Sequence, residues 1–351
     1  MTLQKMVMAL DKMVMELHKD DEPHEMVYYI KSKGAGRTLR KLEDEKQRII
    51  ITVKGTNGAT VNYLGGIFYG YKHKPDEVFL NNNKDNNYNS KNSISLNQEG
   101  ENKIEVVWNN KLTTLEEMFK ECKSIVSLDL SKLITLNVTS MRSMFNGCSS
   151  LVSLDLSSFI TSNVNDMANM FRGCSSLESL DLSNFITSNV NDMSNMFHSC
   201  YSLESLDLSN FITSKVQRME YMFGFCSSLV SLDISNFNTS NAYSTGGVLY
   251  DCSSLRYINL LNYIGQDIFT NFPKNNNLSI CINDYNQIGN GKNSLKANNV
   301  TIICKKDSDK TNDKTPEKRK RTNDWKTVKI LKEFKALKRY RIIKRLKILK
   351  H

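Results

Sequence analysis

Between Val164 and Ser183 the chain changes rhythm. Val164, Met167, Met170, Phe171 and Cys174 recur at three- and four-residue intervals, which predicts a short helix or 3₁₀ turn with one apolar face. A few residues later Leu180 and Leu182 alternate with Ser179, Asp181 and Ser183, the pattern of a strand buried on one side only. This two-part pattern returns at a fixed interval. Cys122, Cys148, Cys174, Cys200, Cys226 and Cys252 lie 26 residues apart. Met118, Met144, Met170, Met196 and Met222, each followed by a phenylalanine, keep the same spacing. So do Leu128, Leu154, Leu180, Leu206 and Leu232, and the column two residues on, from Leu130 to Ile234. Phe159, Phe185, Phe211 and Phe237 close their units, with Leu133 and Tyr263 in the outer copies.

A single unit of this kind leaves its apolar side open, and stacking neighbours along one axis covers it. The motif MFxxCxSLxSLDLSxFxTSxVxxM resembles the bacterial surface protein 26-residue repeat, a BspA-like branch of the leucine-rich repeats. The resemblance runs from Leu112 to Tyr263 and departs from the common leucine-rich pattern by placing Phe where an asparagine usually sits. It implies an α/β repeat solenoid, right-handed, with parallel strands on the concave face. It also implies surface display and a role in adhesion or partner binding rather than catalysis.

The flanks divide the rest of the chain. Residues 1–48 read as an amphipathic, methionine-rich helical region, and 49–111 as a β-rich N-terminal cap carrying the Asn-rich loop NNNKDNNYNSKNS. Six repeats fill 112–265. The sixth decays, with Val248 and Leu249 in place of Met-Phe and Asn259 in place of the aspartate. Residues 266–304 then read as a C-terminal cap, and 305–351 as a basic linker and helical amphipathic tail.

Composition adds location and charge. With 40% hydrophobic residues among 351, the chain has ample material for a core. It has no run of about 18 apolar residues that would span a bilayer. Lys5, Asp11, Lys12 and Glu16 interrupt the apolar residues of the N-terminus, which makes it a poor secretory signal. The surface role implied by the resemblance therefore stands beside cytoplasmic and nuclear alternatives. The net charge of +10 is unevenly placed. Residues 305–351 hold 19 Lys and Arg against six Asp and Glu, leaving 28 against 31 in residues 1–304. A slightly acidic body thus bears a strongly basic tail.

Three features are candidates for chemistry. The cysteine column lacks the paired ligand spacing of a zinc site, and only His198 among the histidines lies within the repeats as a base. Burial as a small apolar side chain is the expectation for these thiols. Cys281 and Cys304 break the period and are the pair expected to bond if the protein is exported. Asp129, Asp155, Asp181, Asp207 and Asp233 fall between inward leucines, so they are expected to face outward as a partner-binding stripe, or simply as a solvated face. In the tail, Lys318, Arg319, Lys320 and Arg321 form a run suited to nucleic acid, nuclear import or an anionic membrane, followed by the amphipathic residues Leu331, Phe334 and Leu337. Four N-glycosylation sequons, at Asn137, Asn238, Asn277 and Asn299, are what so Asn- and Ser-rich a composition yields by itself. Gly-rich phosphate loops, metal-ligand helices and acid–base pairs do not occur, so neither catalysis nor a cofactor is expected. The expected function is recognition or adhesion, with a protein or other macromolecule bound on the concave Ser/Asp face. The alternative is an intracellular scaffold anchored to anionic membrane or nucleic acid by the basic tail.

Overall fold

Alternating apolar residues build the first strand, β1 (Gln47–Gly55), which buries Ile49, Ile51 and Val53 on one side. The structure is a computed structural model, and the described residues are 46–70, 73–86, 92–263, 268–269, 272, 277–282 and 300–304. All of them lie in the first of two units, residues 1–306. The second unit, residues 307–351, and the N-terminal residues 1–45 lie outside the described residues, and with them the two expected amphipathic helices.

After β1 come β2 (Thr60–Asn62), a five-residue helix α1 (Gly66–Gly70), β3 (Glu77–Leu80), β4 (Asn83–Lys84), β5 (Ser93–Ser95) and β6 (Gly100–Trp108). β1 pairs antiparallel with β6 in unbroken register from Gln47 opposite Trp108 to Gly55 opposite Gly100. On its other edge β1 takes β7 (Ile125–Lys132), the strand half of the first repeat, again antiparallel. The sheet order is β4-β3-β6-β1-β7, while β2 and β5 form a separate pair. The N-terminal sheet therefore absorbs the first repeat into itself. Gly65 seals the junction: its N–H donates to the Met118 carbonyl at 2.8 Å, and a Cβ there would lie 1.9 Å from the Glu117 oxygen.

From Leu115 onward the copies stack coil on coil through the segment expected to be helical. The amides of Glu117, Phe119 and Glu121 donate to the carbonyls of Arg142, Met144 and Asn146 in the next copy, at 2.7–2.8 Å. The intervening amides of Met118, Lys120 and Cys122 bond three residues back within their own copy, at 3.1–3.2 Å. Two positions per copy have positive φ: Glu117 (59°) with Glu121 (60°), Asn169 (58°) with Gly173 (70°), and Tyr221 (55°) with Phe225 (61°), among others. An α-helix needs negative φ throughout and bonds to the fourth residue back. Two left-handed residues four apart instead fold the segment into successive turns and release alternate amides to the neighbouring coil.

This corrects the expected fold class. The chain is not an α/β solenoid of the leucine-rich type; among the described residues α1 is its one α-helix, and it lies outside the repeats. The parallel concave sheet is corrected too. Regular strand survives only in the first copy, as β7, and in the last two, as β8 (Ser231–Asp233) and β9 (Tyr257–Asn259). These continue in parallel into β10 (Leu278–Cys281) and β11 (Val300–Cys304), in the order β11-β10-β9-β8. In the copies between, the strand half carries scattered bonds such as Glu178 N–H to Val152 O at 3.3 Å. Isolated parallel bridges run instead down the column Thr114, Ser140, Asp166, Asp192, Arg218 and Ser244.

Side chains lock the same spacing. Phe119, Phe145, Phe171, Phe197 and Phe223 stack nearly parallel, with centroids 5.5–5.6 Å apart. A buried threonine column bonds coil to coil. Thr135 Oγ1 donates to the Ile160 carbonyl at 3.0 Å and accepts from the Ile160 amide at 2.7 Å, and Thr161 and Thr187 repeat both bonds one and two copies on. Replacing Thr135 by Val keeps the shape but strands a buried amide and carbonyl. Denaturant unfolding of Thr135→Val should show a loss of about 1–3 kcal/mol, with Thr135→Ser closer to wild type.

Candidate functional site

The aspartate column lies where the strand alternation places it. Asp129, Asp155, Asp181 and Asp207 are exposed and Asp233 is half-buried. Each carboxylate also has a local task. Oδ1 accepts the backbone amide of the serine two residues on, Ser131, Ser157, Ser183, Ser209 or Ser235, at 2.9–3.1 Å. The Ser131 hydroxyl first, and its amide second, hold the Asp129 carboxyl below its usual range. The same amide bond forms in the copies that carry β7 and β8 as in the copies between them. The result is a row of carboxylates in one repeated turn geometry, with Glu178 and Glu204 exposed beside it.

A second charged row, on the bridge column and the column two residues after it, was not anticipated. Arg142 lies 3.5 Å from Asp166 and 3.9 Å from Asp192, while Arg218 lies 3.4 Å from Asp192 and also bonds Glu220. Burial raises the pKa of Asp166, opposed by the Ala168 amide and by Arg142. Cations and carboxylates here answer one another across coils. The signal was present in the sequence as oppositely charged residues in two neighbouring 26-residue columns, Asp166, Asp192 and Arg218 in one and Glu116, Arg142 and Glu220 in the other.

A family model described as "Mycoplasma protein of unknown function, DUF285" matches residues 88–180, 113–229 and 179–263. Together these matches run without a break from 88 to 263, half of the chain. The chain belongs to this family. No curated protein and no solved structure matches it. The DUF285 span contains all five outward aspartates, and Lys318, Arg319, Lys320 and Arg321 fall beyond it, outside the described residues.

The cysteines of this DUF285 chain form a column as buried as its leucines. Cys122 through Cys252 are free thiols with essentially no exposure. In Cys148, Cys174, Cys200, Cys226 and Cys252, Sγ donates to the carbonyl of the phenylalanine 29 residues earlier, at 3.1 Å. Burial, with each preceding thiol adding to it, pushes these pKa values well above the usual thiol range. Neither nucleophile nor metal ligand suits such a site, because both require the thiolate. Among the described residues no cluster of three His, Cys, Asp or Glu side chains is arranged to hold a metal ion, and no helix is long and apolar enough to cross a membrane. Cys281 is disulfide-bonded, and its register partner across β10 and β11 is Cys304. The six column thiols should resist an aromatic disulfide reagent in the folded chain and all react once urea unfolds it. Rapid titration of several under native conditions would contradict their burial.

Proposed function

We propose that this DUF285 chain is a non-catalytic recognition and adhesion module that binds a cationic macromolecular partner along its Ser/Asp face. One observation carries the reading: five carboxylates, from Asp129 to Asp233, are held in the same serine-bonded turn on successive coils. Like charges at a coil spacing of about 5 Å repel one another, a cost that a cationic partner relieves. The resemblance of the repeat to the BspA-like surface repeats supports binding over catalysis, and supports display at the cell surface. The charge imbalance between body and tail favours a second reading, an intracellular scaffold anchored on anionic membrane or nucleic acid through Lys318–Arg321.

Asparagine separates charge from turn, because its Oδ1 can accept the same serine amide. The triple variant Asp155→Asn, Asp181→Asn, Asp207→Asn should melt near the wild-type temperature yet bind polylysine about tenfold more weakly at physiological salt. Unchanged polylysine affinity in a folded triple variant would remove the aspartate row from the account. Vesicle binding that depends on Lys318–Arg321 and ignores the triple variant would favour the scaffold.

A further inference from the structure

The turn face of the last three copies is aromatic where the earlier copies are polar. His198, Tyr221, Tyr250 and Phe225 form a closed circuit of ring contacts. Centroids are 6.3 Å apart for His198–Tyr221, 5.7 Å for Tyr221–Tyr250, 5.0 Å for Tyr250–Phe225 and 5.3 Å for Phe225–His198. Tyr221 is 38% exposed and the other three are half-buried. The core does not require these rings, since the phenylalanine ladder ending at Phe223 already fills each coil.

Two further observations mark the cluster as more than filler. Tyr221 and Phe225 sit at positive φ, 55° and 61°. For bulky L-residues that conformation costs on the order of 1–2 kcal/mol, whereas the equivalent turns one and two copies earlier use Asn, Ser and Gly. Space is also cleared for the rings. A Cβ on Gly247 would lie 2.6 Å from the Tyr221 ring, and one on Gly224 would lie 3.0 Å from His198.

Arg172 borders the cluster, one coil before His198 in the same column. It is exposed, and no carboxylate lies within ion-pair distance of it among the described residues. Its Nη1 instead donates to the Oδ1 atoms of Asn169 and Asn195, each at 3.5 Å, which orients the guanidinium along the face. Burial first, and Arg172 second, lower His198 to about 4, so the imidazole adds no charge near neutrality.

We propose that Arg172, Tyr221 and Tyr250 form a second binding site, separate from the aspartate row, for a carboxylated polysaccharide built of uronic-acid units. The electron-poor C–H faces of sugar rings pack on the negative faces of the tyrosines, and the planar guanidinium takes a sugar carboxylate through two parallel hydrogen bonds. Arg172 and Tyr221 stand two coils apart, about 10 Å, so the site reads a chain rather than one sugar. A nucleic acid would also stack on these rings, but it calls for a dense row of cations, and this face offers one guanidinium beside amides and the Asp251 carboxylate.

The test measures binding of the full chain to polygalacturonate, dextran, polyglutamate and a single-stranded oligonucleotide at physiological salt. Two variants are compared with wild type: Arg172→Gln, and the double variant Tyr221→Asn with Phe225→Gly, which restores the residue types of the neighbouring turns. Each variant should weaken polygalacturonate binding about tenfold or more and leave polyglutamate binding, which reports the basic tail, unchanged. The urea midpoint of the double variant should equal or exceed that of wild type, because strain is removed. Wild-type affinity for polygalacturonate in both variants would overturn the proposal. Dextran binding as tight as polygalacturonate binding, or tighter variant-sensitive binding of the oligonucleotide, would overturn it as well.

Discussion

Each coil of this chain divides its backbone amides between two destinations, and the rest of the structure depends on that division. Amides at Phe119, Phe145, Phe171, Phe197 and Phe223 reach the next copy, while their sequence neighbours close turns within their own. The pair of left-handed residues in every copy makes the division possible, because it turns alternate amides out of the local bonding pattern. Buried polar backbone is thereby satisfied without helix and with little regular sheet. The coils are held at one spacing, to which every side-chain column conforms.

Once that spacing is set, chemistry is assigned by column. Phenylalanine rings meet face to face, threonine hydroxyls bridge amide and carbonyl of the next coil, and cysteine thiols donate to a carbonyl. A thiol held this way is packing material with a weak hydrogen bond. Charges are sorted by the same geometry. Along the bridge column and the column two residues after it, Arg142 and Arg218 answer Asp166 and Asp192 across coils, so that edge is internally compensated. The outward aspartates bond serine amides instead. The aromatic corner breaks column identity in the last copies at a cost in backbone strain, as a binding surface added to a repeating frame would.

Much of this was legible in the residues, and the limits have physical causes. The 26-residue period, the inward columns and the outward aspartates follow from alternation and spacing alone. The helix did not follow, because apolar residues three and four apart face inward equally well from a helix and from consecutive turns. Glycine marks left-handed backbone at Gly147, Gly173 and Gly247 alone within the repeats, and the remaining positions, among them Glu117, Ser143, Asn169, Asn195 and Tyr221, carry no common signature. The serine two residues after each aspartate was visible as a column, but its amide bond to the carboxylate was not. The Arg172 and Tyr221 corner shows in sequence only as columns that change residue type, a signal meaningful once the turn face is known.

Register is the claim on which all of this stands, and excision tests it directly. Deleting residues 175–200 removes one full period and joins Cys174 to Tyr201, so every amide, ring and threonine meets its usual partner one copy away. Deleting 175–199 removes one residue fewer and shifts each column against the next. The first shortened chain should keep a cooperative urea transition and a native-like circular dichroism spectrum, and the second should lose both. Equal stability of the two chains would contradict the account.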